Sequence, residues 1–562
     1  MITNLKLLKN LCPVAFFDIL VRNSALQGEN YLTMNRTAAA LFLAFVTPSA
    51  AQQDQEAEFH ASNEFSVVSN AIEGDGKAAS SLTKGFNYLD VLNVYGSGTR
   101  GSWTYSYTAG GKATDDIRND AKHLSLTNLQ ARASDKVHTL AVGDVFESFS
   151  QYALATSLKG ASYRYAKQDS KLPEVTGVFG WAYPRWDSVW KDPVTRTVNR
   201  QAAGLRVKEN FNGDLWAGLS AVSGKDTGRI NPTDPLYDAK NYTLDFNYVP
   251  MPGLTADGEF SKADSAQTPS AGAAQVSANG TAAHFELVGD ADPSRVSVEY
   301  ENVEPDFYSA LGSATPDRRK VKAKWRYKAS KQVTVTSGLL WYRNNLDASS
   351  AAGTVRNWKP EISAAVKKPF ASRRYSYADL SYKFDRKYGG GSSGADHYMN
   401  ANYRDRFGPL DSDTNLGYTL YRTKTAVRDA KELNFNTSLN SRHQLSSVVL
   451  KPSVNLGTWY SRDELADTTD KLYEYSLGLG CEAPAASLTG DVRFGQNMLR
   501  KEVGDDSSKF FAALSAYWRP KLLASLNEST VFLRAGYNDY TFSTASRNFR
   551  EKSVTVGLNT AF

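Results

Sequence analysis

From about residue 59 to its end, this chain repeats with a period of two. Tyr242, Leu244, Phe246 and Tyr248 are apolar at every second position, and so are Val296, Val298 and Tyr300. The same spacing returns in Ala378, Leu380, Tyr382 and Phe384, in Tyr473, Tyr475, Leu477, Leu479 and Cys481, and in Phe510, Ala512, Leu514, Ala516 and Trp518. The intervening positions carry Asn, Ser, Thr, Gly, Asp, Lys and Arg. Alternate side chains of an extended chain fall on opposite faces, so each run specifies a strand with one apolar and one polar face. The runs recur roughly every 15 to 30 residues, and helical spacing fits none of them.

Composition decides which strand protein this is. Mean hydropathy is −0.44, which alone points to a water-soluble chain. Yet the sequence holds 30 Tyr, 26 Phe and 10 Trp. No stretch after residue 51 approaches the 18 or so apolar residues of a membrane helix. Low hydropathy with abundant aromatics is what alternating strands with interfacial aromatic girdles produce. Aromatics near strand ends fit such belts: Trp103 and Tyr105, Trp181 and Trp186, Trp341 and Tyr342, Trp459 and Tyr460, Tyr517 and Trp518. A propeller would show a fixed repeat period, and none is visible. A sandwich would not need lipid-type aromatics on one face of nearly every strand.

The last strand carries the most specific pattern. Val554, Val556, Leu558, Thr560 and Phe562 share one face. An apolar face running to a terminal Phe resembles the C-terminal signature of bacterial outer-membrane β-barrels, the porin-like superfamily. The resemblance extends over most of residues 59–562. It implies an all-β transmembrane antiparallel barrel of about 26 strands (22–26), with short periplasmic turns and longer extracellular loops. Gaps such as 304–319, 343–357 and 386–396 read as long solvated loops, Gly389 to Gly394 among them. Gaps 250–253, 289–294 and 329–332 read as short turns. It also implies that Val554, Val556, Leu558, Thr560 and Phe562 act as the closure and assembly signal. The implied partners are outer-membrane lipid, the barrel assembly machinery and a periplasmic or lumen-inserted protein.

The N-terminal segment reads as processing signal. Met34 opens a run with Arg36, an apolar stretch Ala38 to Val46, and Ser49-Ala50-Ala51. This predicts a signal peptide over 34–51, a single barrel domain over 52–562 and a misassigned extension over 1–33. The formal net charge of +6 falls to +4 without Lys6, Lys9, Arg22, Arg36, Asp18 and Glu29. That balance does not suit a nucleic-acid binder. Cys481 is then the only cysteine, so no disulfide, cysteine zinc site or haem-attachment motif can form, and no cofactor is expected.

One strand stands out chemically. Lys320, Lys322, Lys324, Arg326 and Lys328 share a face. One Lys or Arg facing lipid near the midplane costs about 2–4 kcal/mol, so five must face the lumen. Glu299 and Glu301 on the preceding strand are the expected counter-charges. The stripe then reads either as neutralised wall or as a guide for anions. A weaker basic set is Arg493, Arg519 and Arg534. The segment Asp144 to Ser157 is too apolar for an ordinary outer loop and reads either as a further strand or as a constriction folded into the lumen. The histidines, His60, His123, His138, His284, His397 and His443, match no catalytic motif.

Together these features predict a non-enzymatic channel or conduit for a bulky cargo or an inserted partner. The alternatives are the sheath of a porin–cytochrome electron conduit, a polysaccharide or protein export pore, and a barrel-mounted hydrolase.

Overall fold

A barrel in lipid must leave no strand edge unpaired, because no water reaches the free N–H and C=O groups. Here the first strand, Glu58–Glu73, pairs antiparallel with the last, Phe549–Ala561, from Ser62 opposite Ala561 to Glu73 opposite Arg550. Between them each strand pairs antiparallel with its neighbour in sequence. The short segment His443–Leu445 pairs with the start of Val448–Asp463, beside Arg428–Ser441. The result is a closed antiparallel wall of 26 strands, the number expected from the alternation. The computed structural model describes residues 57–167, 172–183, 185–186, 198–229, 231–348, 351, 353–423, 428–521 and 529–561. Residues 1–51, which carry the expected extension and signal peptide, and the terminal Phe562 lie outside the described residues.

The two faces of the wall differ as the alternation demands. At the closing seam Val554, Val556 and Leu558 lie opposite Ser69, Val67 and Phe65, and Thr560 lies opposite Asn63. Val554 and Val556 are exposed, while Ser66 and Asn70 on the other face are buried. Adjacent aromatics therefore split between faces. Trp341 pairs with Trp358, which is exposed on the apolar face, but Tyr342 lies opposite Lys320. Trp459 lies opposite Asn434 on the polar face and so does not belong to an outer belt, whereas Tyr460 lies opposite Leu433.

An even strand number brings both described ends to one rim, the terminal rim. Connections there include the two-residue turns 101–102, 213–214, 252–253, 292–293 and 408–409. The far rim carries the longer ones, including 74–84, 146–157, 304–317 and 345–355. Two departures are clear. Connections 368–376 and 519–529 are long for the terminal rim. The expected loop at Gly389 to Gly394 is instead two strands, Tyr377–Gly389 and Ser392–Phe407, joined through Gly390 and Gly391. Gly389, Gly390 and Gly391 have φ of 94°, 59° and 72°, so the glycines there permit a hairpin turn that side chains would strain.

Placing a charge on the lipid face of the seam tests the assignment of faces. Val556→Lys, near the middle of the closing strand, is expected to destabilise the barrel by about 2–4 kcal/mol in a denaturant titration in lipid. Val556→Ile should leave the midpoint unchanged.

Candidate functional site

The polar face gathers its charge on the strands between Val198 and Lys328. Lys208, Gly218, Asp245, Glu259, His284, Glu301 and Lys320 lie successively opposite one another across seven strands. The apolar face of the same strands carries Leu205, Leu219, Tyr242, Leu244, Phe260 and Phe285, all exposed. In a closed transmembrane wall the apolar face meets lipid, and the polar face lines the interior.

The cationic stripe is neutralised at its two ends and not between them. Lys320 Nζ lies 2.8 Å from Glu299 and 2.5 Å from Glu301, and Lys322 Nζ lies 3.6 Å from Glu299. His284 Nε2 is 3.7 Å from Glu299. At the terminal rim Lys328 pairs with Asp292 at 2.7 Å. Between them, Lys324 lies opposite Ser297 and Gly338, and Arg326 opposite Arg295 and Thr336. Among the described residues neither has a carboxylate partner. Of the second basic set, Arg534 packs over Phe532 and Tyr517, and its Nε donates to Tyr517 Oη at 3.2 Å. Arg493 lies opposite Ala513 on that face, while Arg519 lies beyond the end of strand Ser507–Trp518.

Above the Lys320 end, two far-rim loops lie down on this face. Loop 146–157 places the N–H groups of Gln151 and Tyr152 on the Glu259 carboxylate, at 3.0 and 2.8 Å. Tyr152 Oη donates to Glu301 at 3.0 Å. Burial and the Glu301 charge push the Tyr152 phenol well above its ordinary range, so it stays a donor. Loop 304–317 is held by Arg200, which reaches the Ala310 carbonyl at 3.0 Å and binds Asp226 through two nitrogens. Asn241 donates to the Tyr308 carbonyl, and Tyr308 stacks on Tyr237 with centroids 4.3 Å apart.

The loops are also fastened to each other. Ala155 N–H donates to the Leu311 carbonyl at 3.0 Å, and Ser313 N–H to the Gln151 carbonyl at 2.7 Å. Phe149, Ala153, Leu154 and Leu158 form one buried cluster with Leu311, Val178, Ala202 and Val222. Tyr152 and Phe307 form another with Ala263, Ala282 and Val303, their rings edge to face at 5.7 Å. At several positions the wall beneath holds glycine, where no side chain fits. A Cβ on Gly280 would stand 2.3 Å from the Phe307 nitrogen, one on Gly224 2.7 Å from Ala310, and one on Gly204 2.9 Å from Phe149.

A third contact ties the rim together. Asp120, in connection 115–123, accepts from Arg185 at 2.9 Å and Ser125 at 2.5 Å, with Lys112 at 3.3 Å. Burial alone would raise its carboxyl. The donors from Ser125, the Lys122 N–H, Arg185 and Lys112 outweigh burial and hold it well below the usual carboxylate range. Trp186 Nε1 donates to Asp144 at 2.9 Å, beside Lys159, which pairs with the same carboxylate.

The sequence reading of 144–157 left two possibilities. Asp144 and Val145 end the strand His138–Val145, and the remainder is the inward loop. Loop 304–317, read as solvated, is instead docked. The overlooked signal is composition: Ala202, Gly204, Gly224, Ala263, Gly280 and Ala282 are small residues at inward positions of neighbouring strands, where other strands carry polar side chains.

The closed wall with an apolar outer face defines a transmembrane β-barrel of the outer-membrane type. No family model and no curated protein matches the chain. Among solved structures, it is similar to the Pseudomonas aeruginosa protein OpdL at 14% identity and TM-score 0.34, over 66% of this chain and 99% of that one. It is also similar to a variant of the ferric enterobactin receptor PfeA of the same species, at 9% identity and TM-score 0.39, over 91% of this chain and 81% of that one. Acinetobacter baumannii OccAB4 matches at 9% identity and TM-score 0.29, over 91% and 99%.

Unseating one loop tests the docking. In Gly280→Val the added carbons displace Phe307, so chymotrypsin should cut the folded protein within 304–317. Wild type should resist at that position, and both proteins should keep the folded, heat-modifiable gel mobility of an intact barrel.

Proposed function

We propose that this chain is a porin-like channel whose lumen is narrowed from one side by loops 146–157 and 304–317. The observation that carries the reading is the fastening of both loops to the polar face, through Glu259, Glu301 and Arg200. A carboxylate receiving two backbone N–H groups holds a loop firmly, since charge-assisted hydrogen bonds are about twice as strong as neutral ones. The buried clusters and side-chain bonds of the loops reach strands between Leu158 and Val303, and Asp317 accepts from Asn345 and Leu346; among the described residues no hydrogen bond, ion pair or buried cluster joins them to the wall from Tyr377 onward. This supports a narrowed passage with one bare wall, wide enough for a bulky solute or an inserted protein partner.

In this reading Lys324 and Arg326 face the water of the lumen and favour anions locally, while Lys320 serves the wall as a partner of Glu299 and Glu301. Val554 to Phe562 is the strand by which the assembly machinery recognises the barrel, and outer-membrane lipid bathes its apolar face. Catalysis is not part of the reading. Ser441 Oγ and His443 Nε2 are 3.0 Å apart, but at an exposed turn, and His443 has no carboxylate partner among the described residues.

Planar-bilayer recording of the purified, folded protein tests the reading. Wild type should give discrete ion-conducting steps. Replacing residues 148–155 with a short Gly/Ser linker should raise the step size. Folded protein that inserts and conducts no ions would contradict the channel, and an unchanged step in the loop variant would contradict the narrowing.

A further inference from the structure

The wall that carries no docked loop has a chemistry of its own. It comprises Ser392–Phe407, Leu410–Thr423, Arg428–Ser441, Val448–Asp463, Thr468–Ala483 and Leu488–Lys501. Across it, Asn402 lies opposite Asn415, which lies opposite Asn436. The same row continues through Gly457 and Glu474 to Asn497. Asn455 belongs to the next row, opposite Ser438 and Ser476. A glycine stands where an asparagine must lie flat: a Cβ on Gly457 would be 2.7 Å from Asn436 Oδ1.

These carboxamides are only partly engaged. Asn402 donates to Asp413, Asn415 to Asn400 and Asn455 to Ser476. Asn436 and Asn497 hold no side-chain hydrogen bond among the described residues. An Asn carries two donors and a carbonyl acceptor, so the row keeps both kinds of group free towards the lumen. Just towards the far rim on the same face stand Tyr398, Tyr421, Trp459 and Leu472, Trp459 being opposite both Asn434 and Leu472. Charges of both signs stand in and beside the row, Glu474, Arg493 and the Arg404–Asp413 pair among them, and a shallow concavity joins Asn415, Asn436, Asn455, Glu474, Arg493 and Phe511.

We infer that this wall is a binding track for neutral oligosaccharides. A sugar hydroxyl both donates and accepts, which matches a carboxamide group for group. The C–H faces of a pyranose match the flat aromatic and apolar surface of Trp459, Tyr421 and Leu472. A row of equivalent amides across several strands suits a repeating polymer, which can move along it by exchanging one hydrogen bond at a time. Passage of the sugar rests on the channel reading, whereas binding at the wall needs only the folded barrel.

Two measurements keep these apart. Isothermal titration of the folded, detergent-solubilised full chain with maltohexaose and with cellohexaose reads the wall directly. At least one should bind saturably, and a neutral hexapeptide should not. Asn436→Ala should weaken that binding about three- to tenfold, the worth of one or two hydrogen bonds. Trp459→Ala should weaken it about tenfold. Both variants must show the heat-modifiable mobility of the folded barrel. No binding of either sugar to folded wild type, equal binding of the peptide, or unchanged affinity in both folded variants would overturn the inference. In planar bilayers the bound sugar should interrupt the ion current. Sugar binding without any ion conductance would support the track and contradict the channel.

Discussion

Lipid offers no partner to a backbone N–H or C=O, and the structure follows from that constraint. Each unpaired group in hydrocarbon costs several kcal/mol, so a sheet there must close on itself. The pairing of Glu58–Glu73 with Phe549–Ala561 removes the two edges that a 26-stranded open sheet would expose. Closure requires strands of both ends of the chain to meet in register. It also forces every side chain to one of two fates, lipid or interior. Once Val554 and Val556 point to lipid, the parity of each following neighbour is fixed by the ladder. Lys320, Lys322, Lys324, Arg326 and Lys328 are thereby committed to the face that also bears Glu299 and Glu301.

A wide closed wall has more interior surface than its own side chains can cover. On one side the chain covers it with two loops that share a hydrogen-bonded seam and two buried clusters. The wall beneath has given up side-chain volume, at Gly204, Gly224 and Gly280, so that the loops can approach. Carboxylates on the wall then bind loop N–H groups, which anchors the loops by polar bonds at the same places where apolar contact is made. On the other side the wall keeps asparagines and aromatics. The interior is thus divided into a loop-bearing half and a half that carries a row of amides.

Most of the fold was legible because period-two patterning is local: Tyr473 to Cys481 or Phe510 to Trp518 reveals a strand without reference to any other segment. The strand number and the sharing of a face by Lys320 to Lys328 followed from the same rule. What the pattern does not encode is where a loop goes. Nothing near Phe307 distinguishes a docked loop from a solvated one, because its partners, Gly280 and Ala282 apart, come from segments such as Tyr152 and Ala263. Gly389 to Gly394 misled for a different reason. Glycine is compatible with a long loop and with a hairpin turn, and only the pairing of Gly389 with Ser392 decides between them. Trp459 was assigned to a belt by its neighbour Tyr460, although adjacent strand residues must face opposite ways.

The account stands on the claim that the polar face is wet and the apolar face is not. Single cysteines at 322, 323, 324, 325 and 326, introduced with Cys481→Ser, measure this directly when the protein in proteoliposomes is treated with a membrane-impermeant thiol reagent. The account predicts labelling at 322, 324 and 326 and protection at 323 and 325. Equal labelling at all five positions, or labelling confined to 323 and 325, would contradict it.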